Sequence, residues 1–141
     1  MVVFRAGGES FALPLQAVRE VVVPQPPFAR VPRVLHGVRG AMNLRGRVVA
    51  VVELAPLLGL KDDLIGPAQG HVLILDRDRR GLGLLVAAVL GVERLESPAG
   101  EPRAQGSLTR GVVADRQGLA VTLLDPDALA ERAAALFQPG A

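Results

Sequence analysis

The stretch Val38-Arg39-Gly40-Ala41-Met42-Asn43-Leu44-Arg45-Gly46-Arg47-Val48-Val49-Ala50-Val51-Val52-Glu53-Leu54 decides the fold class. Two runs rich in Val, Leu and Met flank Arg45-Gly46-Arg47, and the central Gly can supply the positive φ that a tight hairpin turn requires. The spacing predicts strands over 38–44 and 48–54.

Working outward, an offset of 71 residues lays Arg39-Gly40 on Arg110-Gly111, Ala17-Val18 on Ala88-Val89, Leu13 on Leu84 and Phe4 on Leu75. A slip of one residue then brings Glu53 onto Asp125 and Leu57 onto Leu129. The matches preserve strand spacing as well as residue type, so the chain reads as two similar halves. They join at the charged and then Gly/Pro-bearing stretch 61–70. Each half shows short strands. Phe11, Leu13 and Leu15 alternate with Ala12 and Pro14 after Gly7-Gly8, which predicts a hairpin closing on residues 2–4, and 19–23 is β-branched and bounded by Pro24. The second half repeats this over 71–75, 82–86, 89–95, 108–114 and 119–124, with Asp115-Arg116-Gln117-Gly118 as its hairpin turn.

Helix is sparse. Residues 55–59 allow a turn or two, stopped by Gly59. A better helix is predicted over 125–137, with Asp125 as N-cap, Pro126 at the first helical position and Asp127 complementing the helix dipole. Ala128, Leu129, Ala133, Leu136 and Phe137 make its apolar stripe. The expected fold is all-β: two five-stranded barrels of about 70 residues each, residues 1–66 and 67–141, packed together with a C-terminal helix. Units so small bury little core alone and must lean on each other; exchange of strands between them is compatible with the sequence.

Composition narrows the function. The chain has 141 residues, is 50% hydrophobic and 21% charged, and has a mean hydropathy of +0.34, which places it among chains that fold. Without Cys there is no disulfide framework, thiol nucleophile or thiolate metal site. The apolar run over 81–92 is shorter than the roughly 18 residues of a membrane-spanning helix. The start, Met1-Val2-Val3-Phe4-Arg5, lacks a signal-peptide layout, so a cytoplasmic setting is expected without membrane insertion. The sequence pI of about 10.3 overstates a net charge of only +2: with no Tyr or Cys and a single Lys61, few groups titrate between His and Arg. Aromatics are 3%, and the arginines are scattered, which argues against a nucleic-acid partner.

Reactive groups are few. Ser10, Ser97 and Ser107 lie in no nucleophile elbow, and His36 and His71 lack metal-ligand spacing. Gly81-Leu82-Gly83-Leu84-Leu85-Val86 lacks the third Gly of a dinucleotide fingerprint and runs on as strand. Glu53 and Asp125 fit helix-capping or orienting roles; an acid/base pair would require them to meet across the halves. The Asp76-Arg77-Asp78-Arg79-Arg80 run reads as a solvated hairpin tip. No enzyme activity, cofactor or metal is expected, a small β-barrel enzyme being the minor alternative. Two units with separate surfaces have the geometry of an adapter.

The segment from Val31-Pro32-Arg33 through Asn43-Leu44-Arg45-Gly46 to Glu53-Leu54 resembles the signature of CheW-type coupling proteins, with Asn43-Leu44-Arg45-Gly46 its most diagnostic part. Phe11-Ala12-Leu13-Pro14-Leu15 and Val18-Arg19-Glu20-Val21 resemble the family's opening strands. Gly83-Leu84-Leu85-Val86-Ala87-Ala88-Val89-Leu90-Gly91-Val92 and Leu123-Leu124-Asp125-Pro126-Asp127-Ala128-Leu129 resemble its later strands and closing helix. The matches are ordered and span nearly the whole chain.

The resemblance implies Src-homology-like barrels without catalytic activity. It also implies an adapter between the signalling domain of methyl-accepting-type chemoreceptors and the regulatory domain of a CheA-type histidine kinase, which carries a similar fold. Recruitment to receptor clusters would follow. The alternative is a CheW-like module that binds only one partner or serves another receptor–kinase pathway. By motif, Glu20, Val21, Val22, Arg45 and Gly46 would lie at or near the partner-binding surface. Arg45 is equally readable as a turn residue holding the hairpin, and Glu20 as a solvent-facing strand residue. Ala50 stands where the family commonly has Pro, and Ala87 where it often has Asp.

Overall fold

The computed structural model describes residues 1–24, 26–29, 37–66, 68–77, 80–96 and 107–136. Ten strands form in chain order: β1 (Val2–Ala6), β2 (Glu9–Leu13), β3 (Val18–Val22), β4 (Val38–Leu44), β5 (Arg47–Glu53), β6 (His71–Arg77), β7 (Arg80–Val86), β8 (Ala88–Val92), β9 (Thr109–Ala114) and β10 (Ala120–Leu124). Two helices, α1 (Leu54–Leu57) and α2 (Pro126–Ala135), each follow the last strand of a half. The 71-residue offset pairs β1 with β6, β2 with β7, β3 with β8 and β4 with β9 in order, and the one-residue slip pairs β5 with β10.

The strands form two five-stranded sheets, a first in the order β8-β1-β2-β10-β9 and a second in the order β3-β6-β7-β5-β4. Under the repeat these orders are the same order. The registers agree too: Thr122 opposite Phe11 in the parallel β10/β2 pair matches Ala50 opposite Leu82 in β5/β7. The β-bulge at Val38/Gly40 in β4 is repeated opposite Leu123/Leu124 in β9/β10, where Thr109 and Gly111 face consecutive residues.

The exchange between halves is extensive. Each half gives its first hairpin to one sheet and its last three strands to the other, so neither sheet is made from residues 1–66 or 67–141 alone. Short links enforce this. Ala87 alone separates β7 in the second sheet from β8 in the first, and its N–H donates to Arg5 O of β1 at 3.0 Å. Between β2 and β3 stand only Pro14 and a 3-10 turn (Leu15–Ala17). Links this short carry the chain across the shared core but cannot turn it back into a sheet whose places beside β2 and β7 are already filled.

The largest core lies between the sheets. Phe4, Leu13, Leu124 and Leu129 from the first sheet and α2 meet Leu54, Leu73, Leu75 and Leu84 from the second sheet and α1, all buried. Phe4 and Phe11 stack with centroids 6.3 Å apart. Each sheet also covers a smaller core on its other face, Val3, Ala12, Val121 and Leu123 in one and Met42, Val49, Val51 and Ile74 in the other. Covering both faces explains why β1 and β6 are near-continuous apolar runs instead of alternating ones.

Several sequence expectations shift. Leu15 is not a strand residue: Pro14, at φ −56°, ends β2 at Leu13, and Leu15 enters the 3-10 turn half exposed. The first short helix spans Leu54–Leu57, one residue earlier than expected, and Gly59 at φ +74° turns the chain away. The strand expected over 89–95 runs only to Val92. The closing helix ends at Ala135, and Phe137 lies outside the described residues, as do His36 and Ser97.

Candidate functional site

The β4–β5 hairpin turns through Arg45 and Gly46, both at positive φ (+50° and +83°), with Leu44 opposite Arg47. Two positive φ values in a two-residue loop define the turn that matches strand twist, and Asn or Gly usually fills its first position. Here Arg45 does, in a conformation that costs a non-glycine residue about 1–2 kcal/mol. Asn43 steadies the turn, its Oδ1 accepting from Gly46 N at 2.9 Å.

Arg45 reaches across the sheet to β3, where its Nη2 donates to Glu20 Oε1. The pair lines an open groove of about 430 Å³ on the second sheet. Arg19 on β3 and Arg47 on β5 flank it, and Leu44, Val48 and Ile74 supply apolar walls. Val48 is 76% exposed although its neighbour Val49 is buried, as strand alternation dictates. Among the described lining residues three arginines face one glutamate.

The structure therefore brings Glu20, Arg45 and Gly46 together. Val21 sits on the other face of β3 from Glu20 and is exposed, and Val22 packs on the Met42/Val49 core. Sequence reasoning missed Arg19, Arg47 and Val48. The signal for Val48 was its outward phase in β5, and for the arginines their adjacency to Glu20 and to the turn.

A second set of charges is structural. Arg39 and Glu53 pair at 3.1 Å, and their repeat counterparts Arg110 and Asp125 pair at 3.3 Å. Arg39 Nη2 also donates to Ile65 O at 2.7 Å, tying the segment between the halves to β4. Asp125 caps α2 as expected, its Oδ1 accepting from Asp127 N at 2.9 Å and Ala128 N at 3.1 Å. Glu53 makes no side-chain cap on α1 and serves the ion pair instead. The two carboxylates do not act on one site; each stays with its own arginine. Among the described residues no group of three or more His, Asp or Glu is placed to hold a metal ion. His71 opens β6 with its Nδ1 buried and without a hydrogen-bond partner among them. No helix among them is long and apolar enough to cross a membrane.

Two five-stranded sheets related by an internal repeat, with an exposed charged groove beside a hairpin, define a β-rich two-sheet repeat module. The chain belongs to the CheW-like domain family, whose profile matches residues 1–134. It is 31% identical over 138 residues to the chemotaxis protein CheW of Rhizobium meliloti, covering 92% of this chain and 85% of that protein. Identity to the probable chemotaxis protein CheW of Rhizobium etli is 37% over 90 residues, 63% of this chain and 56% of that one. Identity to Protein PilI of Pseudomonas aeruginosa is 33% over 92 residues, 64% of this chain and 49% of that one, so these two alignments span about half of each relative. The crystal structure of the scaffolding protein TtCheW from Thermoanaerobacter tengcongensis superposes with a TM-score of 0.68 over 88% of this chain and 86% of that one, at 21% identity, a likeness of fold.

Proposed function

We propose that this chain is a cytoplasmic, non-catalytic adapter that couples the signalling domain of methyl-accepting-type chemoreceptors to the regulatory domain of a CheA-type histidine kinase. The observation that carries the reading is the groove built on Arg45. An arginine occupies a turn position that favours Asn or Gly, and its side chain pairs with Glu20 beside exposed Val48. A strained residue that displays its side chain on an accessible face is characteristic of a binding surface. Membership of the CheW-like family supplies the kind of partner. The groove side of Glu20, Arg45 and Gly46 is the proposed contact; Val21 is exposed on the other face of β3, and Val22 supports β3 from the core.

The test is a binding assay against a kinase regulatory domain and a receptor signalling-tip hairpin, first singly and then together. Simultaneous binding of both is expected. Binding of neither overturns the reading. The similarity to Protein PilI favours a second reading, service of another receptor–kinase pathway. That reading gains if only one chemotaxis partner binds, and Ala87 then becomes the first position to alter. Its backbone is committed to β1, so Ala87→Asp changes the side chain alone.

A further inference from the structure

We infer that residues 61–65 form a releasable strap: docked, it ties the β1–β2 turn of the first sheet to β4 of the second, and released, it uncovers one side of the Met42/Val49 core while both sheets keep their ladders. The inference concerns this chain alone and does not rest on the adapter reading.

Lys61-Asp62-Asp63-Leu64-Ile65 follows Gly59 and carries three charges, the composition of a solvated linker. Under the repeat, with its one-residue slip, Gly59 and Asp63 correspond to Glu131 and Ala135, where α2 is still helical. The first half has no such helix to continue. At Gly59, φ +74°, the chain leaves α1 and lies across both sheets. Leu60 packs on the core between the sheets. Both oxygens of Asp63 accept from Gly7 N, at 2.9 and 3.0 Å. Gly7 opens the β1–β2 turn, and its missing side chain leaves room for Leu60, since a Cβ there would lie 2.7 Å from Leu60 Cβ. At the far end Ile65 packs on the Met42/Val49 core, and its carbonyl accepts from Arg39 Nη2 at 2.7 Å. The segment thus runs from the shared core to the outer core of the second sheet.

The docking is held at its ends and opposed in its middle. None of residues 58–66 is fully buried, and 61–65 make no backbone–backbone hydrogen bond among the described residues. Leu64, between the two fastenings, stands at φ +53° with 82% of its surface exposed. A left-handed conformation disfavours any residue with a Cβ, and an apolar side chain left in water returns nothing for it. Asp62 Oδ1 holds this kink by accepting from Leu64 N at 2.9 Å. A segment with few buried contacts, no ladder bonds and a strained centre opens at a lower free energy than the strands beneath it. Gly59 and Gly66 bound the unit that opens. Opening withdraws Ile65 from the Met42/Val49 core and breaks no strand pairing. Phe28 and Val22 stay on that core, and Arg39 keeps Glu53 at 3.1 Å.

The test is amide hydrogen exchange of the full-length chain, read by NMR without urea and at low urea. The Gly7 amide should be protected, yet exchange faster than the amides of β1 and β6. Its rate should hardly depend on urea, whereas the core amides respond steeply. Two variants that leave the Asp63–Gly7 bond in place report whether the ends move together. L64N puts at the kink a residue type that tolerates positive φ and should slow Gly7 exchange about two- to five-fold. R39M removes the fastening at Ile65 and should speed Gly7 exchange about tenfold. Both changes should stay insensitive to urea, which separates them from a change in global stability. D63A and R39M should each speed thermolysin cleavage before Ile65. A wild-type Gly7 amide with the rate and urea dependence of the core amides would overturn the inference, because the strap would then leave only on global unfolding. An unprotected Gly7 amide, or one that neither L64N nor R39M moves, would overturn it equally. If R39M does not fold, L64N alone decides.

Discussion

Arg45 and Glu20, 25 residues apart in the chain, form an ion pair that joins the β4–β5 hairpin tip to the edge strand β3. Arg45 is 68% exposed and Glu20 28%, so the pair contributes less than about 1 kcal/mol to stability. Its removal is therefore separable from unfolding. E20R and R45E should each weaken partner binding while the melting temperature hardly moves, and the double swap E20R/R45E should restore the pair but not the native charge layout. Titration calorimetry beside thermal melting checks this. Full-strength binding by both folded single variants would move the interface to another surface.

Turn strain gives a second, oppositely signed readout. R45N places the residue type this turn prefers at φ +50° and should stabilise the fold by about 0.5–1 kcal/mol. Partner binding should fall at the same time. A variant that is more stable and binds normally would assign Arg45 to the turn alone.

The glycines of the bulges separate strain from crowding. Gly40 has φ +136°, and a Cβ there would lie 2.7 Å from Ala29 O. Gly91, at the register shift where β8 pairs with β1, has φ +139° with open space around it. Gly91→Ala should cost about 1–2 kcal/mol from backbone strain. Gly40→Ala must also displace the bridge between Ala29 and Ala41 and should cost clearly more, as read from urea midpoints.

The two repeat-related ion pairs should differ in weight. Arg39 and Glu53 are 18% and 20% exposed, and Arg39 also holds Ile65 O, whereas Arg110 is 38% exposed. R39A should destabilise by about 1–3 kcal/mol through the partners it strands, R110A by less than about 1 kcal/mol. Equal costs in a denaturant series would contradict the assignment.

Exchange of hairpins predicts cooperative behaviour. Phe4→Ala should cost about 3–5 kcal/mol, because Phe4 is fully buried in the core that both sheets share. Residues 1–66 should not fold alone, since β1 and β2 pair with β8 and β10. Mixing 1–66 with 67–141 should restore the β-sheet circular dichroism of the intact chain. Independent folding of 1–66 would contradict this.

Local chemistry and repeat spacing determined much of this protein. Gly46 after Arg45 marked the hairpin, the offset linking Arg39-Gly40 to Arg110-Gly111 marked the two halves, and Asp125-Pro126 marked the closing helix, because turns, caps and alternation depend on neighbours in sequence. The same reading placed Glu20 and Arg45 in one region through their resemblance to a known signature. Only the tertiary structure decided that they touch, that Arg19 and Arg47 flank them, and that Val22 turns inward. It also decided that each half lends its first hairpin to the other sheet. The halves are so alike that strand chemistry fits an exchanged or an unexchanged pairing equally well. The choice falls to link length, a single Ala87 between β7 and β8 and the Pro14 turn after β2, acting through a core that neither half can close by itself.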